Sequence, residues 1–218
     1  MKPVSKKRWW NIFLFPDPEN ANSDGLLAMG GDLSLATLQS AYTQGIFPWP
    51  QEGFPLLWFS PPQRGVLFFE KFKVPKTTQK AINKNTFQIT INEAFSDVIR
   101  SCAKIPRDKE SGTWILPEMI EAYENLHLKG YAKSVEAWVD GDLVGGLYGV
   151  DFEGLFSGES MFFKTSEASK VCLVALVEEL QKEGRTWMDI QMVTPLLEQF
   201  GGEYIPRKKF LDMLKASS

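Results

Sequence analysis

Histidine and cysteine are scarce in this chain. Its 218 residues include one histidine, His127, and two cysteines, Cys102 and Cys172. A zinc centre is therefore not expected, because it draws several nitrogen or sulfur ligands together at short spacing. A Ser-His-Asp triad would have to use His127. That residue falls near the end of a predicted helix, where capping or packing is its usual role. The two cysteines lie far apart and suit a reduced compartment. No apolar run reaches the roughly 18 residues of a membrane span. The start, Met1-Lys2-Pro3-Val4-Ser5-Lys6-Lys7-Arg8, is charged but lacks the apolar stretch of a secretion signal. The expectation is a cytoplasmic protein away from membranes. A charge excess is missing too. Lysine and arginine number 24 against 27 acidic residues, net −3. That argues against indiscriminate binding to polyanions and leaves local patches open.

Nucleotide-binding loops are absent as well. Gly145-Gly146-Leu147-Tyr148-Gly149 is glycine-rich, yet it follows a hairpin turn and lacks the Lys-Ser/Thr of a phosphate loop. Small residues where another backbone comes close are the simpler reading. The segment Lys164-Thr165-Ser166-Glu167-Ala168-Ser169-Lys170 precedes a predicted long helix. It lacks the glycine-rich run with which acetyl-CoA enzymes hold pyrophosphate at a helix N-terminus. Gly158-Glu159-Ser160-Met161-Phe162 is not a nucleophile elbow, because Phe162 stands where the last glycine should be.

What is present reads as two parts, residues 1–62 and 63–218. The first is rich in turns. Ser34 is placed to cap a helix with Leu35, Leu38, Ala41 and Tyr42 on one stripe, ending at Gly45. Pro48, Pro50, Pro55, Pro61 and Pro62 predict an irregular stretch after it. The second part is regular. Strands are predicted at Val66–Phe69, around Phe87, Ile89 and Ile91, from Val135 to Val139, at Leu143–Val150, Leu155–Phe162 and Thr186–Met192. Helices are predicted over Thr77–Lys84, after an Asn92 cap, from Pro117 to near Gly130, and from a Ser166 cap to Glu183. The remainder after residue 192 reads as helix and loop. Three consecutive hairpin strands followed by a helical crossover give an α+β mixed sheet, similar in order to the N-acetyltransferase fold.

Two polar features interrupt the apolar pattern. Glu159 lies inside the apolar strand Leu155–Phe162, and Asp189 and Gln191 share a face of Trp187-Met188-Asp189-Ile190-Gln191-Met192. A lone buried carboxylate costs on the order of 2–7 kcal/mol or more, so each needs a partner or a ligand. Lys170 and Arg207 are the candidate internal partners, and a reaction centre is the alternative reading. The other feature is a lysine series, Lys71, Lys73, Lys76, Lys80 and Lys84. Lys76, Lys80 and Lys84 form one helical stripe. Like charges four apart repel by a few tenths of a kcal/mol per pair. Either solvent or a phosphate backbone faces them.

Several segments in order resemble the leucyl/phenylalanyl-tRNA–protein transferase family. They include Gly30-Gly31-Asp32-Leu33, Gly45-Ile46-Phe47-Pro48-Trp49, Leu57-Trp58-Phe59-Ser60-Pro61, Gly112-Thr113-Trp114-Ile115 and Ser134-Val135-Glu136-Ala137-Trp138. Phe156-Ser157-Gly158-Glu159-Ser160-Met161-Phe162 and Asp189-Ile190-Gln191 continue the set. The chain departs from the family at Lys133, where histidine is usual, and at Gln199-Phe200-Gly201-Gly202. The resemblance implies a small N-terminal domain beside an acetyltransferase-like catalytic domain. It implies transfer of leucine, phenylalanine and, less readily, methionine from aminoacyl-tRNA to proteins that begin with arginine or lysine, which marks them for proteolysis. No cofactor or metal is implied. Glu159, Asp189 and Gln191 would stand at the reaction centre, and Trp49 and Trp114 would hold the terminal adenosine. Leu147, Phe156, Met161, Leu173, Leu176, Leu180 and Met188 would line the side-chain pocket. Lys76, Lys80 and Lys84 would meet the tRNA stem.

Overall fold

The computed structural model describes residues 13–51, 53–105 and 115–217. The N-terminal part forms β1 (Leu26–Met29), α1 (Leu35–Tyr42), β2 (Phe47–Pro48) and β3 (Leu57–Phe59). Ser34 caps α1 as expected, its side chain accepting from the Thr37 amide. The proline-rich stretch is not wholly irregular. β2 and β3 join β1 in a three-stranded sheet ordered β1-β3-β2. Pro48 fits because β2 is an edge strand, where a missing N–H leaves no ladder bond unmade.

A seven-stranded sheet follows. Its strands are β4 (Gln63–Phe68), β5 (Gln88–Ile91), β6 (Ala132–Val139), β7 (Asp142–Phe152), β8 (Leu155–Phe163), β9 (Trp187–Gln191) and β10 (Glu203–Pro206). Their spatial order is β10-β4-β9-β8-β7-β6-β5. β10 is a strand where helix and loop were predicted. Every pair is antiparallel except β8 with β9. The helices are α2 (Lys76–Asn83), α3 (Phe95–Ala103), α4 (Pro117–Leu128), α5 (Ala168–Lys182), α6 (Pro195–Gln199) and α7 (Arg207–Ser217). The α+β class with a mixed sheet is as predicted. No helix among the described residues is long and apolar enough to cross a membrane.

Two predicted caps are corrected. Asn92 has φ 63° and spends its side chain on the Ser134 amide, while α3 starts three residues later. The amide before α3, Ala94 N–H, points instead to the buried Glu136 carboxylate. Ser166 does not cap α5. Glu167 precedes that helix in a left-handed conformation and binds Thr78 and Lys170.

Strand alternation sends Val135, Ala137 and Leu147 to one face, where α5 covers them. Tyr148, Val150 and Phe152 go to the other, against α1, α3 and α4. β8 breaks this rule once. Phe156 and Phe162 are six residues apart and should share a face, yet Phe156 packs with α5 and Phe162 with the opposite cluster. The pairing explains it: Tyr148 faces Ser160 while Gly149 faces Gly158, so Glu159 is an extra, bulged residue. Gly149 is required there, since a Cβ would lie 2.3 Å from the Ser157 carbonyl oxygen.

Candidate active site

The parallel strands β8 and β9 touch at a single register pair, Ser157 with Asp189. Beyond it they form no further ladder pair and diverge, and a cleft of about 160 Å³ that opens to solvent lies there. Glu159 and the Asp189–Gln191 stretch lie here. The Glu159 bulge is on one side. On the other, Gln191 ends β9 with φ 58°. Gln191 Nε2 donates to Glu159 Oε1 at 2.8 Å.

Glu159 is nearly enclosed. Tyr42 of α1 donates to its Oε1 at 2.7 Å, and Tyr123 of α4 donates to Oε2 at 3.4 Å. The two hydroxyls are also within bonding distance of each other, so with Tyr42 donating to Glu159 the single Tyr123 proton is shared between the Tyr42 oxygen and Glu159 Oε2. Burial pushes the Glu159 carboxyl up from the ordinary 4.5 to about 7, against the Tyr42 hydrogen bond; the nearby Asp189 charge adds to the rise. Burial likewise raises both tyrosine hydroxyls well above their usual range. They therefore stay protonated and remain donors. The cluster can hold or release one proton near neutral pH.

Asp189 stands behind this pair, fully buried, and does not line the cleft. The candidate partners Lys170 and Arg207 are both wrong. Lys170 pairs with Glu167, and Arg207 donates to the carbonyls of Ser60, Glu19 and Ala21. The true partner is Arg64 of β4, whose Nε and Nη2 reach the two carboxylate oxygens at 2.8 and 2.7 Å. Asp189 Oδ1 also accepts the Gln191 amide at 2.9 Å. Sequence reading missed Arg64. It follows Pro61-Pro62-Gln63 and precedes Gly65, which reads as a turn. The available signal was chemical: a buried carboxylate is best matched by a two-pronged guanidinium.

The rest of the lining is mostly apolar, with Tyr148, Ser160 and Thr194 as its other polar residues. Leu147, Phe156 and Met161 line it from β7 and β8, Leu173 and Leu176 from α5, and Met188 from β9. Trp49 stands on its wall, one residue after β2. Ile190, Met192, Thr194 and Leu197 complete that side and were not predicted. Leu180 is buried in the same core cluster but does not line the cleft. Trp114 lies outside the described residues. Lys76, Lys80 and Lys84 are exposed on α2 and its cap, with no ion pair among the described residues. His127 is a packing residue, stacked on Phe95 and bonded to the Ala132 carbonyl. No cluster of potential metal ligands occurs among the described residues. Lys133, where the resemblance leads one to expect histidine, forms ion pairs with Asp151 and Glu183.

In this mixed-sheet α/β domain, a mostly apolar cleft beside the one parallel strand pair, with an acid–amide pair on its lining, can take an apolar group next to a polar anchor. The comparisons narrow that reading. The family described as leucyl/phenylalanyl-tRNA protein transferase matches residues 66–215, and its N-terminal domain matches residues 31–62. The leucyl/phenylalanyl-tRNA–protein transferase of Desulfatibacillum aliphaticivorans is 50% identical over 200 residues, covering 92% of this chain and 86% of that one. Its namesake from Flavobacterium johnsoniae is 48% identical over 202 residues, with 93% and 95% covered. Among solved structures, a glucosamine N-acetyltransferase region of a fungal multi-domain protein aligns over 83% of this chain and 23% of that one. At TM-score 0.45 and 11% identity, that likeness bears no weight. The chain belongs to the leucyl/phenylalanyl-tRNA–protein transferase family, and it is an aminoacyltransferase that moves an aminoacyl group from tRNA to protein.

Proposed function

We propose that the cleft between β8 and β9 is where leucine, phenylalanine or, less readily, methionine leaves its tRNA for the N-terminus of a protein beginning with arginine or lysine, creating a signal for proteolysis. One observation carries this reading. The cleft is lined mostly by apolar side chains, and the hydrogen-bonded pair Glu159 and Gln191 stands among them. An apolar side chain would fill the cavity while its carbonyl lies at the pair. The relatives' names supply the donor class.

The reaction asks for little beyond placement. The attacking α-amine has a pKa of about 7.7–8.0, so part of it is neutral near pH 7. Its nitrogen forms a bond to the ester carbonyl carbon, the carbon–oxygen bond to the ribose breaks, and the ribose oxygen takes up a proton. Glu159 faces the cleft and titrates near neutrality, which suits it to receive the proton the amine gives up. The Gln191 carboxamide holds Glu159 and can donate toward the developing oxyanion. Asp189, committed to Arg64, acts in this scheme by holding Gln191. Trp49 offers a face for the terminal adenine, and the α2 lysines suit a phosphate backbone. In the test, labelled Phe-tRNA, Leu-tRNA and Asp-tRNA compete for an acceptor that begins with arginine, and product is counted over time. Apolar donors should dominate. A pocket of this kind separates near-isosteres by only about 1–3 kcal/mol per methylene, so leakage among them is expected. Equal transfer from Asp-tRNA refutes the assignment.

A further inference from the structure

Arg64 is 2% exposed, yet it touches three separate parts of the chain. Its fork grips Asp189 of β9, two residues before Gln191. Its Nη1 donates to the Gly45 carbonyl at 3.2 Å. Its guanidinium lies between the rings of Phe47 on β2 and Phe210 on α7, 4.6 Å from each centroid. Phe47 is two residues before Trp49, on one wall of the cleft, and Gln191 is on its floor. One planar cation therefore joins the strand just before Trp49 to the strand that carries Gln191. Gly65, next to it, allows the Met192 backbone to approach; a Cβ there would come within 2.8 Å of it.

We propose that Arg64 is a positioning residue for aminoacyl transfer, fixing the Trp49 wall and the Gln191 turn relative to each other through Phe47 and Asp189. The planar shape is required. A guanidinium can stack between two rings and hold both carboxylate oxygens at once, and an ammonium cannot. Misplacement on the scale of an ångström lowers the rate of transfer without removing any group from the cleft. The inference rests on the proposed role of the cleft, and the controls separate the two.

The test compares wild type, Arg64→Lys, Asp189→Asn and their double variant with intact aminoacyl-tRNA and an arginine-initiated acceptor. Competent molecules are counted by tRNA binding at saturation. Arg64→Lys should lower kcat per bound molecule at least about tenfold. KM for aminoacyl-tRNA should stay within about threefold. The double variant should be no slower than the worse single variant, because both break one linkage. A loss that follows only the count of competent molecules, a kcat within about twofold of wild type, or singles whose effects multiply overturns the proposal. Should Arg64→Lys not fold, Phe210→Leu gives the reading from outside the cleft. It keeps the ion pair but removes one stacked ring, and kcat should fall severalfold at unchanged KM; an unchanged kcat overturns the idea. Gln191→Ala is the control. If it turns over like wild type, the assignment of the cleft fails. If it is impaired while Arg64→Lys is not, only the inference about Arg64 fails.

Discussion

Glu159 on the cleft lining and Asp189 behind it are both buried carboxylates, and their partners give them opposite characters. Glu159 meets only neutral donors, Tyr42, Tyr123 and Gln191, and its carboxyl rises to about 7. Asp189 meets a guanidinium along both oxygens. The first prediction concerns pH. A carboxyl at about 7 when folded and 4.5 when unfolded binds its proton more tightly in the folded chain. Its contribution to stability is full below about 4.5 and is lost as pH rises through about 7, a change of at most about 3 kcal/mol. Wild type should thus lose more stability between about pH 5 and pH 8 than Glu159→Gln, whose neutral amide cannot titrate. Denaturant melts at both pH values check this, and parallel losses in the two proteins refute it. The second prediction concerns the ion pair. Asp189→Ala leaves the Arg64 charge buried without a counter-ion, which typically costs about 3–5 kcal/mol. Its unfolding midpoint should fall well below that of wild type, and an unmoved midpoint would show that Arg64 finds another partner.

Among the elements, strands with strong alternation were legible and their ends were not. β6, β7 and β8 follow the predicted hairpins because Asp140-Gly141 and Glu153-Gly154 supply residues with positive φ at the turns. Asp189 and Gln191 were legible as polar residues in an apolar strand; the register shift between them, which leaves Ile190 as an extra residue, was not. Glu159 was legible as an acid among apolar residues. Its bulge was not, since a bulge appears only when the register with β7 is known. β10 escaped because it is a short edge strand, and its Glu203 and Tyr204 face solvent in part, so no apolar run announces it. Arg64 escaped because its partner lies 125 residues away. The helix α2 carries a third prediction. Lys76, Lys80 and Lys84 repel one another on an exposed stripe. If they meet phosphates, each lysine removed should lower the salt slope of tRNA binding by up to about 1 unit. The triple alanine variant should raise KM for aminoacyl-tRNA and flatten its salt dependence. A minimal aminoacyl-adenosine donor should be barely affected. Binding of intact tRNA that stays as tight and as salt-sensitive as wild type would leave the stripe as a solvated face.

For the whole molecule, the boundary near residue 62 is one of chain order more than of packing. Leu38, Tyr42, Ile46, Phe47 and Trp58 from the first part share one buried cluster with Phe95, Val98, Tyr123, Tyr148 and Phe162 from the second. The Tyr42–Glu159 hydrogen bond and the Gly45–Arg64 contact cross the same boundary. Separating the parts would expose that shared core and strand a buried arginine and a buried acid; the first part would keep no buried cluster of its own, while the second would keep the cluster under α5 and lose the cover of its other face. The chain should therefore unfold as one cooperative unit. Loss of far-UV circular dichroism and the shift of tryptophan emission should coincide across a denaturant melt, as for two-state unfolding. Native-state hydrogen exchange gives the sharper reading, because it reports opening element by element. Amides in the middle of α1 should open with the same free energy as those of α5, within about 1 kcal/mol, under conditions where whole-molecule opening dominates. Were α1 to open several kcal/mol more easily while α5 stayed protected, the N-terminal part would be a separate folding unit. The cleft wall that carries Trp49 would then be set by docking and not by a common core.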